Sequence, residues 1–321
     1  MADLQYTKTS IKIISATPGW HLDVWQYLSI PSTKPAPVII MYVKFHWEKY
    51  ESKIGAIFRA HGITANKLMG LAPYAEAFAS IGYASMIFDY RRWGLSDGTP
   101  RNVVVVKEQL EDYRAVIKYV RQDPTFDAER VILFGTSFSG CSLRSIPGPS
   151  EANSAAQCPF TGSTAPLKAN FITVKQITCA ILCAVKQLMG MPPIYILAAA
   201  EPSSRQVALL SSEGAGASLH ALGSRPGDFP NKVSASSLLQ LASYNPSSTA
   251  KQIMTPLLIV APEADNLCLF PGAQTVASII PDDQGELVTL SGGHFSVYPG
   301  RENFQRSLEA QVEFLRRVVP A

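Results

Sequence analysis

The sequence predicts an α/β fold: a single domain over residues 1–321, with a mostly parallel central sheet and a cap inserted at about 189–250. Three observations carry this. Short unbroken apolar runs recur along the chain, and each stops at polar or glycine-rich sequence, as strands buried on both faces do. Segments with apolar residues at three- and four-residue steps lie between them, the pattern of crossover helices. Between Met189 and Ala250 the composition turns to Ser, Gly, Ala and Pro, with no strand that could extend the sheet.

Taken in order, Ile11 to Ser15 and His21 to Ile30 flank the turn Thr17-Pro18-Gly19 and predict an antiparallel edge hairpin. After the proline-punctuated break at Pro31 to Pro37, Val38 to Met41 is the first doubly buried run. Ala84 to Phe88 runs into Asp89, Arg130 to Phe134 into Gly135, and Pro256 to Val260 into Ala261 and an acidic loop. Such strand ends are where open α/β sheets place their chemistry. Helices are predicted over Leu71 to Ile81, over Val103 to Arg121 and over Asn303 to Val319, the last with Leu308, Val312, Leu315 and Val319 on one stripe. The most apolar stretch, Ile172 to Ala200, is broken by Lys175, Lys186, Pro192 and Pro193. It reads as a core-facing helix, a turn and a short apolar run, and not as a membrane span.

Composition removes several function classes. Hydrophobic residues make up 47% and charged residues 17%, and the formal net charge is +3. The densest basic run, around Tyr90 to Arg101, is interleaved with Asp89, Asp97 and Trp93, so no uniform basic stripe forms and no nucleic-acid partner is expected. The five cysteines are odd in number and lack short extracellular spacing, which points to a reducing compartment. The opening MADLQYTKTS lacks an apolar signal region, and the closing VVPA is not a peroxisomal address, so the expected location is the cytoplasm. Cys179 and Cys183 have no ligand-spaced His or acid beside them and read as buried thiols, so no metal is assigned.

The strongest chemical signal is RVILFGTSFSG, Arg130 to Gly140, in which a strand delivers Ser137 to a tight turn between small residues. A serine held in a strained turn needs such neighbours, here Gly135 and Ser139; glycine follows at 140 where the usual motif has it at 139. Asp265 follows the strand in PLLIVAPEAD, and His294 follows the strand in ELVTLSGGHF. The chain order Ser, Asp, His fits a hydrolase in which His294 takes the Ser137 proton and Asp265 orients the ring. Glu263 is the rival acid, with Asp265 preferred. The pair His61-Gly62 suggests an oxyanion hole built from the N–H groups of Ile63 and Phe138, with His61 structural. His21, His46 and His220 follow no core strand and read as surface or packing residues. No metal or organic cofactor is required, since no glycine-rich phosphate loop follows a strand with a suitable acid beyond it.

Together AHGITANKLMG, LFGTSFSG, AQCPFTG, APEADNLC and SGGHFSVYPG resemble the fungal α/β-hydrolases that include the fumagillin-type polyketide transferase and the brefeldin-type thiohydrolase. The resemblance runs from about residue 5 to 318 and implies the α/β-hydrolase fold. It further implies a cytosolic enzyme of fungal secondary metabolism, including toxin biosynthesis, that cleaves or transfers an acyl chain. The substrate would be an acyl thioester or ester, presented by a polyketide synthase carrier. Carried over by position, the nucleophile is Ser137, the acid Asp265 and the base His294. Two segments depart from the group. Residues 42–59 separate the first buried strand from His61-Gly62, and Pro147, Gly148 and Pro149 in 141–157 interrupt the helix expected behind the nucleophile. Both flank the oxyanion hole, and this keeps open an alternative: a catalytically inactive relative that binds an acyl ligand in the same cleft. Residues Leu188, Met189, Met191, Ile194, Tyr195 and Ile196 are the candidate lining of an acyl channel.

Overall fold

The computed structural model describes residues 5–30, 35–41, 63–138, 154–162, 171–253, 255–281 and 284–321. Its main sheet has eight strands. In spatial order they are β1 (Gln5–Ile14), β2 (His21–Ile30), β4 (Ala84–Phe88), β3 (Ala36–Met41), β5 (Phe126–Thr136), β6 (Ser154–Gln157), β10 (Leu257–Pro262) and β11 (Gly285–Leu290). β1 and β2 form the expected hairpin, with Ile14 opposite His21 and β1 on the sheet edge. β2 is antiparallel to β4, and every pairing from β4 through β11 is parallel.

The apolar runs are continuous because successive side chains enter two different cores. On β5, Val131 and Leu133 join one cluster and Ile132 and Phe134 the other; on β10, Leu257 and Ile259 alternate with Leu258 and Val260 in the same way. Helix α2 (Val106–Gln122) covers the first face with Leu110, Tyr113 and Val120. Helices α1 (Ala72–Ala79) and α7 (Phe304–Val318) cover the second with Tyr74, Phe78, Phe314 and Leu315. Helix α6 (Phe270–Ile279) returns the chain from β10 to β11.

β6 consists of the last four residues of the second unusual segment, and it fills the centre of the sheet between β5 and β10. Its Gln157 side chain accepts from Gln311 Nε2 at 3.1 Å on α7, which in turn donates to Ser307 Oγ at 2.8 Å. Buried amides bonded in this way tie a short strand to the helix beside it. Residues 42–59, residues 141–153, His46, His61 and Gly62 lie outside the described residues.

Helix α3 (Phe171–Leu188) leads into a separate three-stranded sheet: β8 (Ala208–Ser211), β7 (Tyr195–Ala200) and β9 (Val233–Ser234). Two short helices, α4 (Ala215–Leu222) and α5 (Ser237–Ala242), complete this part. Among the described residues, none of its strands pairs with the main sheet.

Helix α3 departs from expectation. Its apolar stripe faces outward, with Val174, Ile177, Ile181, Val185 and Leu188 all exposed, and Ala180 and Cys183 are its buried positions. Its inner side serves the hydrogen-bonding needs of the small sheet. Gln176 Nε2 donates to the Ala208 carbonyl at 2.8 Å, and Cys183 Sγ accepts from Ile194 N–H at 3.2 Å and sits 3.2 Å from Ser234 Oγ. Buried backbone polar groups require such partners, so polarity won the inward face.

Candidate active site

Ser137 follows β5 immediately, with φ +58° and 8% exposure. A left-handed conformation costs a non-glycine residue about 1–2 kcal/mol. Its carbonyl accepts Phe160 N–H at 2.8 Å, and the following Phe138 is locked by ring contacts at 5.4 Å to Phe160 and 4.9 Å to Tyr244.

Asp265 lies in the turn after β10. Its Oδ1 accepts the N–H groups of Leu267 at 2.9 Å and Cys268 at 2.7 Å, which leaves Oδ2 facing His294 Nδ1 at 2.7 Å. Both side chains of the pair are buried, whereas Glu263 is exposed. His294 stands in the loop after β11. Ala264 N–H donates to the Gly292 carbonyl at 3.0 Å, which fastens the aspartate loop to the histidine loop, and Cys158 Sγ donates to the His294 carbonyl at 3.5 Å. Gly292 has φ +80°, and a Cβ there would stand 2.2 Å from Glu302 Oε1. The ligand-type atoms of Cys158, Asp265 and His294 gather within 4.8 Å. The contacts at Asp265 and His294 are those of a hydrogen-bonded acid–imidazole pair.

Cys268, to which the sequence analysis gave no role, adjoins both partners. Its Sγ is 3.8 Å from Ser137 Oγ, and the His294 ring is near enough to act on its charge. Burial pushes the thiol pKa up, against the pull of His294. Burial also disfavours charge on His294, but Cys268 and Asp265 outweigh it and the ring is pushed up to about 10.

Ile63 is buried and opens the segment leading to α1, and Ile63, Ala65 and Met69 form one wall of the cleft onto which Ser137 and His294 open. Lys67 anchors that wall. It is fully buried and ion-paired to Asp23 and to Asp89 Oδ2 (3.0 Å), while its N–H donates to Asp89 Oδ1 at 2.8 Å. Leu210, Leu219, Leu222 and Leu267 close the cleft from above, so the apolar lining comes from β8, α4 and the turn after Asp265. Leu188, Met189 and Met191 are on the surface instead and do not form a channel. The free space over Ser137 is about 20 Å³, room for about one water molecule. A wider polar hollow of about 290 Å³ lies beside His294, lined by Glu213, Ser218, Asn266, Arg301 and Glu302 among others.

No family model matches the chain. The quorum-quenching protein AidA of Acinetobacter baumannii is 33% identical over 268 residues, covering 82% of this chain and 86% of that protein. The chain belongs to the AidA family, within the α/β-hydrolase class of enzymes. The polyketide transferase ATR5 of Stachybotrys chlorohalonatus is 26% identical to this AidA relative, covering 82% of this chain and 89% of its own. The α/β hydrolase GrgF from Penicillium superposes with a TM-score of 0.75 at 21% identity, covering 99% and 100% of the two chains, and shares the fold. Relatives thus come from bacteria as well as fungi, so membership does not by itself make the chain fungal. Among the described residues, no helix is long and apolar enough to cross a membrane.

Proposed function

We propose that this AidA relative is a serine hydrolase or acyltransferase that draws an acyl group from a thioester or ester onto Ser137. The single observation behind the reading is convergence. A serine in a left-handed turn and a buried imidazole bonded at 2.7 Å to a carboxylate open onto one cleft, although 157 residues of chain separate Ser137 from His294. His294 accepts the Ser137 proton as Oγ bonds the carbonyl carbon, and Asp265 stabilises the imidazolium. The N–H groups of Phe138 and Ile63 receive the oxyanion. Collapse breaks the bond to the leaving thiolate or alkoxide, which takes the proton from His294 and leaves an acyl-serine. Water or an alcohol then enters with the roles reversed.

The part of the chain from about 189 to 250 acts as a cap that selects the acyl chain, and the substrate class is an activated acyl unit of secondary metabolism. Two relatives support this class by name, the polyketide transferase ATR5 and the thiohydrolase of Eupenicillium brefeldianum. The Cys268 sulfur beside Ser137 favours a second reading, in which the chain binds an acyl ligand without turnover. A fluorophosphonate probe separates the two. The enzyme reading expects a covalent adduct on Ser137, lost in Ser137→Ala and His294→Ala; a folded wild-type protein that takes no adduct supports the binder.

A further inference from the structure

We propose that the outer face of α3 is the contact surface of a two-fold homodimer, in which two copies of the helix lie antiparallel and cross at Ile181. Eight of the fourteen exposed large hydrophobic side chains among the described residues fall between 174 and 191. A contiguous apolar patch of this kind on a folded surface marks a binding face.

The spacing selects the occupant. Val174, Ile177, Ile181, Val185 and Leu188 lie at −7, −4, 0, +4 and +7 about Ile181, so these five are their own mirror along the helix, while the exposed Leu182 stands to one side with buried Ala180 at its mirror position. An isologous interface demands this property: residue i meets j, and j meets i. Turned end to end about Ile181, Val174 faces Leu188, Ile177 faces Val185, and Ile181 meets itself. Three- and four-residue steps are those of helices packed at roughly 20°.

Lys175 and Lys186 are the only charged residues of α3, and both lie off the apolar stripe. The eight side chains are between 38% and 89% exposed and together offer on the order of 800 Å² per copy, so one partner's share of a standard interface is the most this face can bury.

Sedimentation of the full chain tests the proposal. The wild type is expected at twice its 34.8 kDa mass, and Ile181→Asp at 34.8 kDa with a cooperative melting transition that shows the monomer folded, because Ile181 is half-exposed in the single chain. Cysteine cross-linking tests the geometry without disturbing the fold. Under a copper oxidant, Ile181→Cys links to itself, and Ile177→Cys links to Val185→Cys when the two are mixed but not to itself; oxidised wild type sets the background from native thiols. A wild type monomeric at every concentration, a dimer indifferent to Ile181→Asp, or self-linking of Ile177→Cys overturns the proposal. Binding of a monomeric wild type to phosphatidylserine vesicles, lost in Ile181→Asp, also overturns it and makes the face a membrane contact.

Discussion

Replacing Asp265 by asparagine isolates the least visible partner of the proposed mechanism. Asparagine keeps an oxygen where Oδ1 receives the N–H groups of Leu267 and Cys268, so the turn that carries the side chain survives. What changes is the atom opposite His294 Nδ1, where a carboxylate oxygen at 2.7 Å becomes an amide N–H. A donor there needs a lone pair on Nδ1, which moves the ring proton to the nitrogen that should receive the hydrogen of Ser137. The buried imidazolium also loses its counter-charge. Wrong tautomer and lost stabilisation together are worth ~10³–10⁴ in kcat, roughly 4–5.5 kcal/mol of barrier. KM changes little, since Asp265 does not line the cleft over Ser137. The assay is turnover of a short acyl-pantetheine thioester by purified variants, with thermal unfolding in parallel. A folded Asp265→Asn protein within tenfold of wild-type kcat refutes the role given to Asp265.

The remaining predictions concern the same cluster and its supports. His294 must be neutral to accept a proton, and its pKa is raised from 6.5 to about 10, so kcat/KM should rise with pH along a limb well above 6.5. The same shift stabilises the fold fully below 6.5 and is lost as pH climbs through about 10, so activity and stability move in opposite directions; a limb at or below 6.5 contradicts this. Cys268→Ala removes one of the two groups that raise His294 and should move that limb to lower pH, at a cost of about 1 kcal/mol for the small cavity; an unmoved limb makes the sulfur a spectator. Gly292→Ala puts a methyl group at φ +80° against Glu302 and Ser296, and should lower kcat at least tenfold and stability by about 1–3 kcal/mol. Unchanged turnover would show that the histidine loop tolerates displacement.

The sequence exposed what the two-faced sheet forces upon it. The apolar runs at 86–88 in β4, 131–134 in β5 and 257–261 in β10 are continuous because Ile87, Ile132 and Leu258 enter one core while their neighbours enter the other. Ser137, Asp265 and His294 were legible for the same reason, each lying just past a strand whose end is unmistakable. Cys268 was hidden because its meeting with Ser137 joins residues 131 apart. The spacing Asp-x-x-Cys holds a hint in retrospect, since an aspartate cradling the N–H three residues on folds that residue back toward its own carboxylate. Helix α3 was misread for a different reason. Apolar periodicity identifies a face and not the side of the molecule it occupies, and Gln176 and Cys183 were needed inside by the small sheet. The channel residues Leu188, Met189 and Met191 failed with it, and Leu210, Leu219 and Leu222, leucines that close the cleft, lie in short elements with too little length to show a period.

The division between a fixed floor and a separate roof decides where selectivity can arise. The floor is pinned by contacts that owe nothing to a ligand: backbone bonds from Phe160 to Ser137 and Ala264 to Gly292, and the Cys158 thiol to the His294 carbonyl. Its acidic and basic groups are ordered by the sheet before substrate arrives, which is the preorganisation that electrostatic catalysis requires. The roof leaves space for about one water, so on the proposed function an acyl chain enters only if Leu219 and Leu222 of α4 give way. Polar bonds tether roof to floor nearby: Asn66 Nδ2 donates to the Asp228 carbonyl at 2.6 Å, in the loop that follows α4, and at 3.4 Å Ser212 Oγ donates to the Asn266 carbonyl and Asn266 Nδ2 to the Glu213 carbonyl. Differences in kcat/KM between acyl chains therefore reflect the work of moving α4. The reaction of an activated serine probe too small to disturb the roof reflects the floor alone. A series of thioesters whose rates vary with chain length, set against one invariant probe rate, is the signature this arrangement requires.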